Sequence, residues 1–414
     1  MSDGRKKVMG LLGRTLGHSY SPEIHRYLGE YEYRLFEKSP DEVEDFIKNG
    51  CWQGLNVTIP YKKRAAELCD SLSKRARLLG SVNTLVRGED GGIHGYNTDY
   101  AGFMSMVQRL GVGVEGKKAL VLGSGGASVT CVRVLKDLGA VPVVISRSGE
   151  DNYANLYRHE DASVIVNATP VGMYPDTQRS PVELTRFKDC RAVLDLIYNP
   201  LRTRLLLEAS SLNIPCSNGL HMLVAQASES SFLFTGKKIP GDRILEVERL
   251  IKTEKENILL IGMPGCGKSE IAGRLGIATG RRVIESDRVV EEMAKMPIPE
   301  IFATAGEAGF RELETRALAE ITKLSGVIIS TGGGCVTREE NYPLLRSNSK
   351  IVYLKRALEH LSTEQRPLSQ SRGTAALYRE RKPLYEALAD ITVSNDSTPE
   401  DAAKRILSLI SAWE

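Results

Sequence analysis

The sequence has almost no excess of charge of either sign. Its 55 basic and 52 acidic residues leave a formal net charge of +3, and the basic residues are scattered, so nothing predicts a nucleic-acid partner. No apolar stretch reaches the ~18 residues of a membrane span, so no membrane partner is expected. The first residues, Met1 to Lys7, lack the apolar segment of a signal peptide. Seven cysteines (Cys51, Cys69, Cys131, Cys190, Cys216, Cys266 and Cys335) show no C-x-x-C spacing and read as reduced thiols of a cytoplasmic protein. Six histidines lie far apart, without metal-ligand spacing. The remaining composition, 42% hydrophobic and 26% charged over 414 residues, is that of a soluble globular protein of two or three domains. It leaves the oligomeric state open.

The most specific stretch is Gly262-Met263-Pro264-Gly265-Cys266-Gly267-Lys268-Ser269. It fits the phosphate-binding loop G-x-x-x-x-G-K-[ST]. The apolar run Ile258 to Ile261 before it predicts a strand, and Ile271 to Leu275 predicts a helix. Glycines there turn backbone N–H groups onto phosphate oxygens at the positive end of a helix. Lys268 is expected on the β- and γ-phosphates of ATP or GTP, and Ser269 on Mg²⁺.

Residues 1–110 alternate strand-like and helix-like segments, which predicts an α/β layer with mostly parallel strands. Ser19 and Ser21 precede a helix whose first turn can hold Pro22, and Ser21 also suits an N-cap. In Asn56-Val57-Thr58-Ile59-Pro60-Tyr61-Lys62, the amide and hydroxyl share one face of a strand, and Lys62 follows on the turn. Asn83-Thr84 and Asn97-Thr98-Asp99 repeat this chemistry. Such groups suit a polyhydroxylated ligand, and Lys62 with Asp99 makes a candidate proton-transfer pair.

Residues 111–252 open on the strand Lys118 to Leu122. It runs into Gly123-Ser124-Gly125-Gly126-Ala127-Ser128 and an apolar helix from Val129, the pattern of a dinucleotide site. Arg147 lies 24 residues after Gly123, where NAD-binding proteins carry an acid. An arginine there accommodates a 2′-phosphate, which favours NADP(H). Further strands lead into Asn167-Ala168-Thr169-Pro170-Val171-Gly172-Met173 and Ile197-Tyr198-Asn199-Pro200, and Gly219 opens a late helix carrying Gln226.

A third domain, residues 256–414, follows a joint of a few residues. Val283 to Asp287 reads as a strand that places Glu285 and Asp287 on one side, one for Mg²⁺ and one for an acceptor hydroxyl. Arg311 lies on an apolar helix, Thr331-Gly332-Gly333-Gly334 follows a strand, Arg366 sits in a polar loop, and Arg381 starts another helix. Three arginines suit a substrate with a carboxylate as well as phosphates, although for any single one surface salt bridging is the favoured reading.

G-H-S-Y-S-P, N-V-T-I-P-Y-K, S-V-N-T and N-T-D, with the motifs of the second lobe, resemble shikimate dehydrogenase over residues 8–250. The resemblance implies a substrate lobe and a Rossmann NADP-binding lobe. It puts Ser19, Ser21, Asn56, Thr58, Asn83, Tyr198 and Gln226 on the substrate, with Lys62 and Asp99 as the catalytic pair. It puts Gly123, Gly125, Gly126, Ala127, Arg147, Thr169, Met173 and Gly219 on the cofactor. Residues 256–412 resemble shikimate kinase, a P-loop α/β domain of the nucleoside-monophosphate-kinase type with a parallel sheet. That resemblance implies ATP on Gly262, Gly265, Cys266, Gly267, Lys268 and Ser269, and Mg²⁺ on Ser269 and Glu285. Asp287 becomes the base, Arg366 meets the transferring phosphate, and Arg311, Gly333, Gly334 and Arg381 hold the shikimate carboxylate. The chain departs from that family in three ways. Glu285 replaces an aspartate, the lid is short, and Glu359 to Glu364 lacks the arginine that stacks on adenine. The two resemblances imply one product line, 3-dehydroshikimate to shikimate to shikimate 3-phosphate. Alternatives are quinate dehydrogenation in the first half, or one half kept as a non-catalytic ligand sensor.

Overall fold

The computed structural model describes residues 8–17, 19–361 and 373–412. They form two compact units: Met1–Val171, Ser180–Tyr198 and Glu208–Ile251 in the first, and Gly172–Arg179, Asn199–Leu207 and Lys252–Glu414 in the second.

The first unit begins with β1 (Val8–Gly13), α1 (Ser21–Leu28), β2 (Glu32–Glu37), α2 (Val43–Asn49), β3 (Gly54–Val57), α3 (Lys62–Glu67), β4 (Ser71–Leu72), α4 (Lys74–Leu79), β5 (Thr84–Arg87), β6 (Ile93–Tyr96) and α5 (Asp99–Leu110). Leu12, Leu55, Val57 and Leu85 from the strands pack on Ile47 and Trp52 in the core of this lobe. The sheet order is β2-β1-β3-β5-β6-β4. β1 runs parallel to β2 and β3, but β5 runs antiparallel to both neighbours, so the mostly parallel sheet expected from the sequence is a mixed one. The reason is local: β5 and β6 are joined by the tight turn Gly88 to Gly92, too short for a crossover. Ser21 is not an N-cap. It is the first residue of α1, and its backbone N–H donates to Ser19 Oγ at 3.2 Å.

The second sheet of this unit holds β7 (Lys118–Leu122), β8 (Val141–Ile145), β9 (Val164–Asn167), β10 (Ala192–Asp195) and β11 (Cys216–Ser217), all parallel, in the order β11-β10-β9-β7-β8. β9 and β10 are buried at every position, as strands covered on both faces must be. α6 (Gly126–Asp137) begins three residues earlier than the apolar pattern suggests, so Gly126 and Ala127 form its first turn. Strand order reverses at β7, which puts a crevice between the C-terminal ends of β7 and β9. After α7 (Arg204–Ser211), α8 (Leu220–Thr235) returns to pack on α5 and α1. Gly102 permits this approach, since a Cβ there would stand 2.7 Å from the Met222 carbonyl oxygen. α9 (Gly241–Lys255) follows.

The second unit is a five-stranded parallel sheet, β13-β14-β12-β15-β16, built from β12 (Asn257–Ile261), β13 (Val283–Glu285), β14 (Ile328–Ser330), β15 (Ser349–Lys355) and β16 (Ile391–Ser394). Its helices are α10 (Lys268–Thr279), α11 (Ser286–Ala294), α12 (Ile298–Ile321), α13 (Tyr342–Ser347), α14 (Thr374–Leu388) and α15 (Pro399–Ala412). Two expectations are corrected. β13 stops at Glu285, so Asp287 lies in the first turn of α11 rather than beside Glu285 on a strand. Arg381 lies in the interior of α14, which accommodates Pro383, rather than at a helix start. The segment Asn199–Leu207 is fastened in this unit by Arg202, which donates to the Arg346 and Ser349 carbonyl oxygens at 2.7 and 2.6 Å and pairs with Glu256 at 2.8 Å. None of the described helices is long and apolar enough to cross a membrane.

Candidate active sites

In the first unit a cavity of about 330 Å³ gathers Ser19, Ser21, Asn56, Thr58, Lys62, Asn83, Asp99, Tyr198 and Gln226. β1 and β3 supply its floor, and the starts of α1, α3 and α5 aim their first side chains into it. Lys62 Nζ donates to Asp99 Oδ2 at 2.5 Å, with the lysine side chain 26% exposed and the carboxylate 10%, so the ammonium is held yet reachable. Asn83 Nδ2 donates to Asp99 Oδ1 at 2.9 Å and to Gln226 Oε1 at 3.1 Å. These bonds leave Asp99 one orientation. Tyr198 packs on Tyr20 with ring centroids 5.0 Å apart, and burial pushes its hydroxyl up to about 12. It is therefore a neutral donor at any working pH.

Several members of this site escaped the sequence reading. Ser230 Oγ accepts from Asn56 Nδ2 at 2.7 Å, and Tyr33 donates to Asn56 Oδ1 at 2.8 Å. The signal for Ser230 was its position four residues after Gln226 on one face of α8. His25 lines the cavity, stacks on Tyr33 at 3.9 Å and contacts the Tyr31 hydroxyl at 2.6 Å; burial lowers its pKa to about 3.

At the crevice of the second sheet, Gly125 caps α6 without a side-chain bond, and neither Gly125 nor Gly126 has any atom within 4 Å of a Cβ position. The helix N-terminus is thus open to an anion. Gly123 packs against Ala168 and Thr169, and Thr169 donates from N and Oγ1 to Asn167 Oδ1 at 3.0 and 2.6 Å. Asn167 is locked in turn by donating to Asp195 at 3.0 Å. Gly219 lies so close to Leu196 that a Cβ would meet its carbonyl oxygen. Arg147 stands exposed after β8. These residues fit a dinucleotide. Met173 is 43% exposed and lies in Gly172–Arg179, a segment of the second unit.

In the second unit, Gly262, Gly265 and Gly267 have φ of 147°, 85° and 93°, which only glycine adopts without strain. Lys268 is buried, its ammonium donating to the Gly262 and Met263 carbonyl oxygens at 2.9 and 3.0 Å across the loop it serves. Ser269 Oγ lies 3.5 Å from Ser330 Oγ. No cluster of three or more His, Cys, Asp or Glu that could cage a metal exists among the described residues.

The turn Gly332 to Gly334 is the meeting point. A Cβ on Gly332 would stand 2.6 Å from Asp287 Oδ1 and 2.7 Å from Glu314 Oε1, and one on Gly334 would collide with the Arg311 guanidinium. The Gly333 carbonyl accepts from Arg381 Nη1 at 3.2 Å and from the Tyr385 hydroxyl. Arg311 and Arg381 are 7% and 1% exposed, which removes the surface salt-bridge reading for both. Arg311 Nε, Arg381 Nε and Nη2, and Glu314 Oε1 are buried without hydrogen-bond partners among the described residues. Buried polar atoms left without partners are costly. Burial raises the Asp287 carboxyl above its ordinary value against the pull of Lys268, and Glu285 adds to the rise. Glu314, which holds Arg311 at 2.7 Å, was missed although the i, i+3 spacing on α12 announces it. Arg366 lies outside the described residues.

Two family models match. "Shikimate dehydrogenase substrate binding domain" covers residues 11–85 and "Shikimate kinase" covers residues 264–411. A shikimate dehydrogenase (NADP(+)) of Clostridium perfringens is 35% identical over 268 residues, which is 59% of this chain and 98% of the relative. Among solved structures, a chorismate mutase/shikimate 5-dehydrogenase fusion protein from Clostridium acetobutylicum has a TM-score of 0.57 at 35% identity, covering 60% of this chain and 98% of that one. Shikimate 5-dehydrogenase from Thermus thermophilus, solved with NADP(H) and shikimate, has a TM-score of 0.55 at 30% identity, covering 59% of this chain and 99% of that one.

Proposed function

Because the chain belongs to the shikimate dehydrogenase family and carries a shikimate kinase domain behind that part, we propose that it is bifunctional: it reduces 3-dehydroshikimate to shikimate with NADPH and phosphorylates shikimate on its 3-hydroxyl with ATP. The observation that carries this is chemical agreement between two separate sites. The first presents hydroxyls, amides and an ammonium in one cavity. The second presents unpaired guanidinium donors and carboxylates around one glycine turn. Both describe a small polyol carboxylate.

NADPH would supply the hydride when bound on Gly123, Gly125, Gly126, Ala127, Arg147, Thr169 and Gly219, and Mg-ATP would supply the phosphoryl group when bound on the P-loop, with Ser269 and Glu285 on the metal. In the reduction, Lys62 gives its proton to the substrate carbonyl oxygen as that carbon gains the hydride, and is reprotonated from solvent. Asp99 positions the ammonium. Ser19, Ser21, Asn56, Thr58, Asn83, Tyr198 and Gln226 orient the ring. In the phosphorylation, Arg311 and Arg381 take the carboxylate with the donors they now leave unpaired. Asp287 accepts the hydroxyl proton, a role its raised pKa suits. Lys268 and Arg366 neutralise the transferring charge.

The test is to incubate the protein with 3-dehydroshikimate, NADPH and MgATP and to identify products by mass. Shikimate 3-phosphate and oxidised cofactor are expected. A product line that stops at shikimate makes the second half a sensor. Faster turnover of quinate than of shikimate makes the first half a quinate enzyme.

A further inference from the structure

Neither reaction as described uses Arg356. It is the first residue after β15, and Asn395 is the first after β16; these strands pair in parallel with Lys355 opposite Ser394, and the Asn395 N–H donates to the Lys355 carbonyl oxygen at 2.8 Å. Both residues therefore leave the sheet at its C-terminal edge, where open α/β sheets bind ligands, and Arg356 does so on the strand next to the one that feeds the P-loop. Arg356 Nη1 stands 3.8 Å from where a Cβ on Gly267 would lie, and Asn395 Nδ2 is closer still, at 2.6 Å. Asn395 is 1% exposed and braces the loop by donating to the Cys266 carbonyl oxygen at 2.7 Å, yet its Oδ1 has no partner. Arg356 Nε is likewise buried without a partner among the described residues. The carboxylate that follows Asn395 does not neutralise it: Asp396 accepts from the Ser394 hydroxyl at 2.5 Å and from the Ala357 N–H at 2.8 Å. Among the described residues, then, Arg356 forms no ion pair, and it stands with an orphaned amide oxygen against a loop built for anions.

We propose that Arg356 binds the polyphosphate of the nucleotide, as a second cation flanking the P-loop beside Lys268. The proposal rests on the kinase reading above. It is tested on the full-length protein by calorimetric titration with MgADP and with magnesium tripolyphosphate, alongside the steady-state KM for ATP. Loss of a charge-assisted contact in Arg356→Ala should weaken both ligands, and raise the ATP KM, by roughly 10- to 100-fold. The KM for shikimate and the rate of NADPH oxidation should stay as in the wild type. Arg356→Gln, similar in length and uncharged, serves if the alanine variant unfolds. Unchanged MgADP affinity in a folded variant overturns the proposal. Weakened MgADP with unaltered tripolyphosphate overturns it too, since the arginine would then meet the base. Wild-type protein that binds MgADP through Arg356 but makes no shikimate 3-phosphate refutes the kinase reading and leaves this site standing.

Discussion

Glu314→Ala should separate stability and substrate binding in the second half from everything in the first. The carboxylate is fully buried, its partner Arg311 has an 8% exposed side chain, and they meet at 2.7 Å. Burial pushes the Glu314 carboxyl up, against the pull of Arg311, so the pair is balanced rather than strongly stabilising. Removing one partner is different, because it leaves a buried guanidinium whose other carboxylate, Glu307, is 43% exposed and 3.3 Å away. Breaking a buried pair costs about 3–5 kcal/mol. At roughly 2–4 °C per kcal/mol for a unit of this size, the kinase transition should fall by at least about 6 °C in calorimetry. Arg311 also loses the group that aims it, so the KM for shikimate in phosphorylation should rise by roughly 10-fold or more. NADPH oxidation, measured on the same sample, should not change. A folded Glu314→Ala protein with the wild-type transition and the wild-type shikimate KM would refute the claim that Glu314 holds Arg311 in place.

Further outcomes are expected. Lys62→Ala should abolish NADPH oxidation and spare phosphorylation, while Asp287→Asn does the reverse; loss of both activities from either folded variant would contradict two independent sites. Arg147→Ala should weaken NADPH by roughly 10- to 150-fold and NADH little, read from the two KM values, and equal effects would place the guanidinium away from the cofactor. His25 titrates near 3 when folded and near 6.5 when unfolded, so the unfolded chain binds the extra proton and stability falls as pH drops below about 6.5. By pH 5 the loss is about 2 kcal/mol. Denaturant titrations of the first unit at pH 7 and pH 5 should show this slope in the wild type and lose it in His25→Phe; an unchanged slope would assign the acid sensitivity elsewhere.

Whatever depends on neighbours along the chain was legible in the sequence. The P-loop with its strand and helix and the glycine turn after β7 follow from local motifs whose residue types leave few alternatives. The i, i+3 relation of Arg311 to Glu314 was equally local, and only the habit of reading an arginine as a surface residue hid it. Tertiary structure decided the rest. That Asn56 is completed by Ser230, 174 residues away, and Asn83 by Gln226, 143 away, follows from α8 returning onto α5. That Arg381 is buried within α14, and that Arg356 and Asn395 meet beside Gly267, follows from which strands are neighbours. Strand order and helix return set burial, and burial is what leaves nitrogen atoms of Arg311 and Arg381 without hydrogen-bond partners among the described residues. No periodicity or spacing along the chain encodes that, because it depends on the water that folding removes.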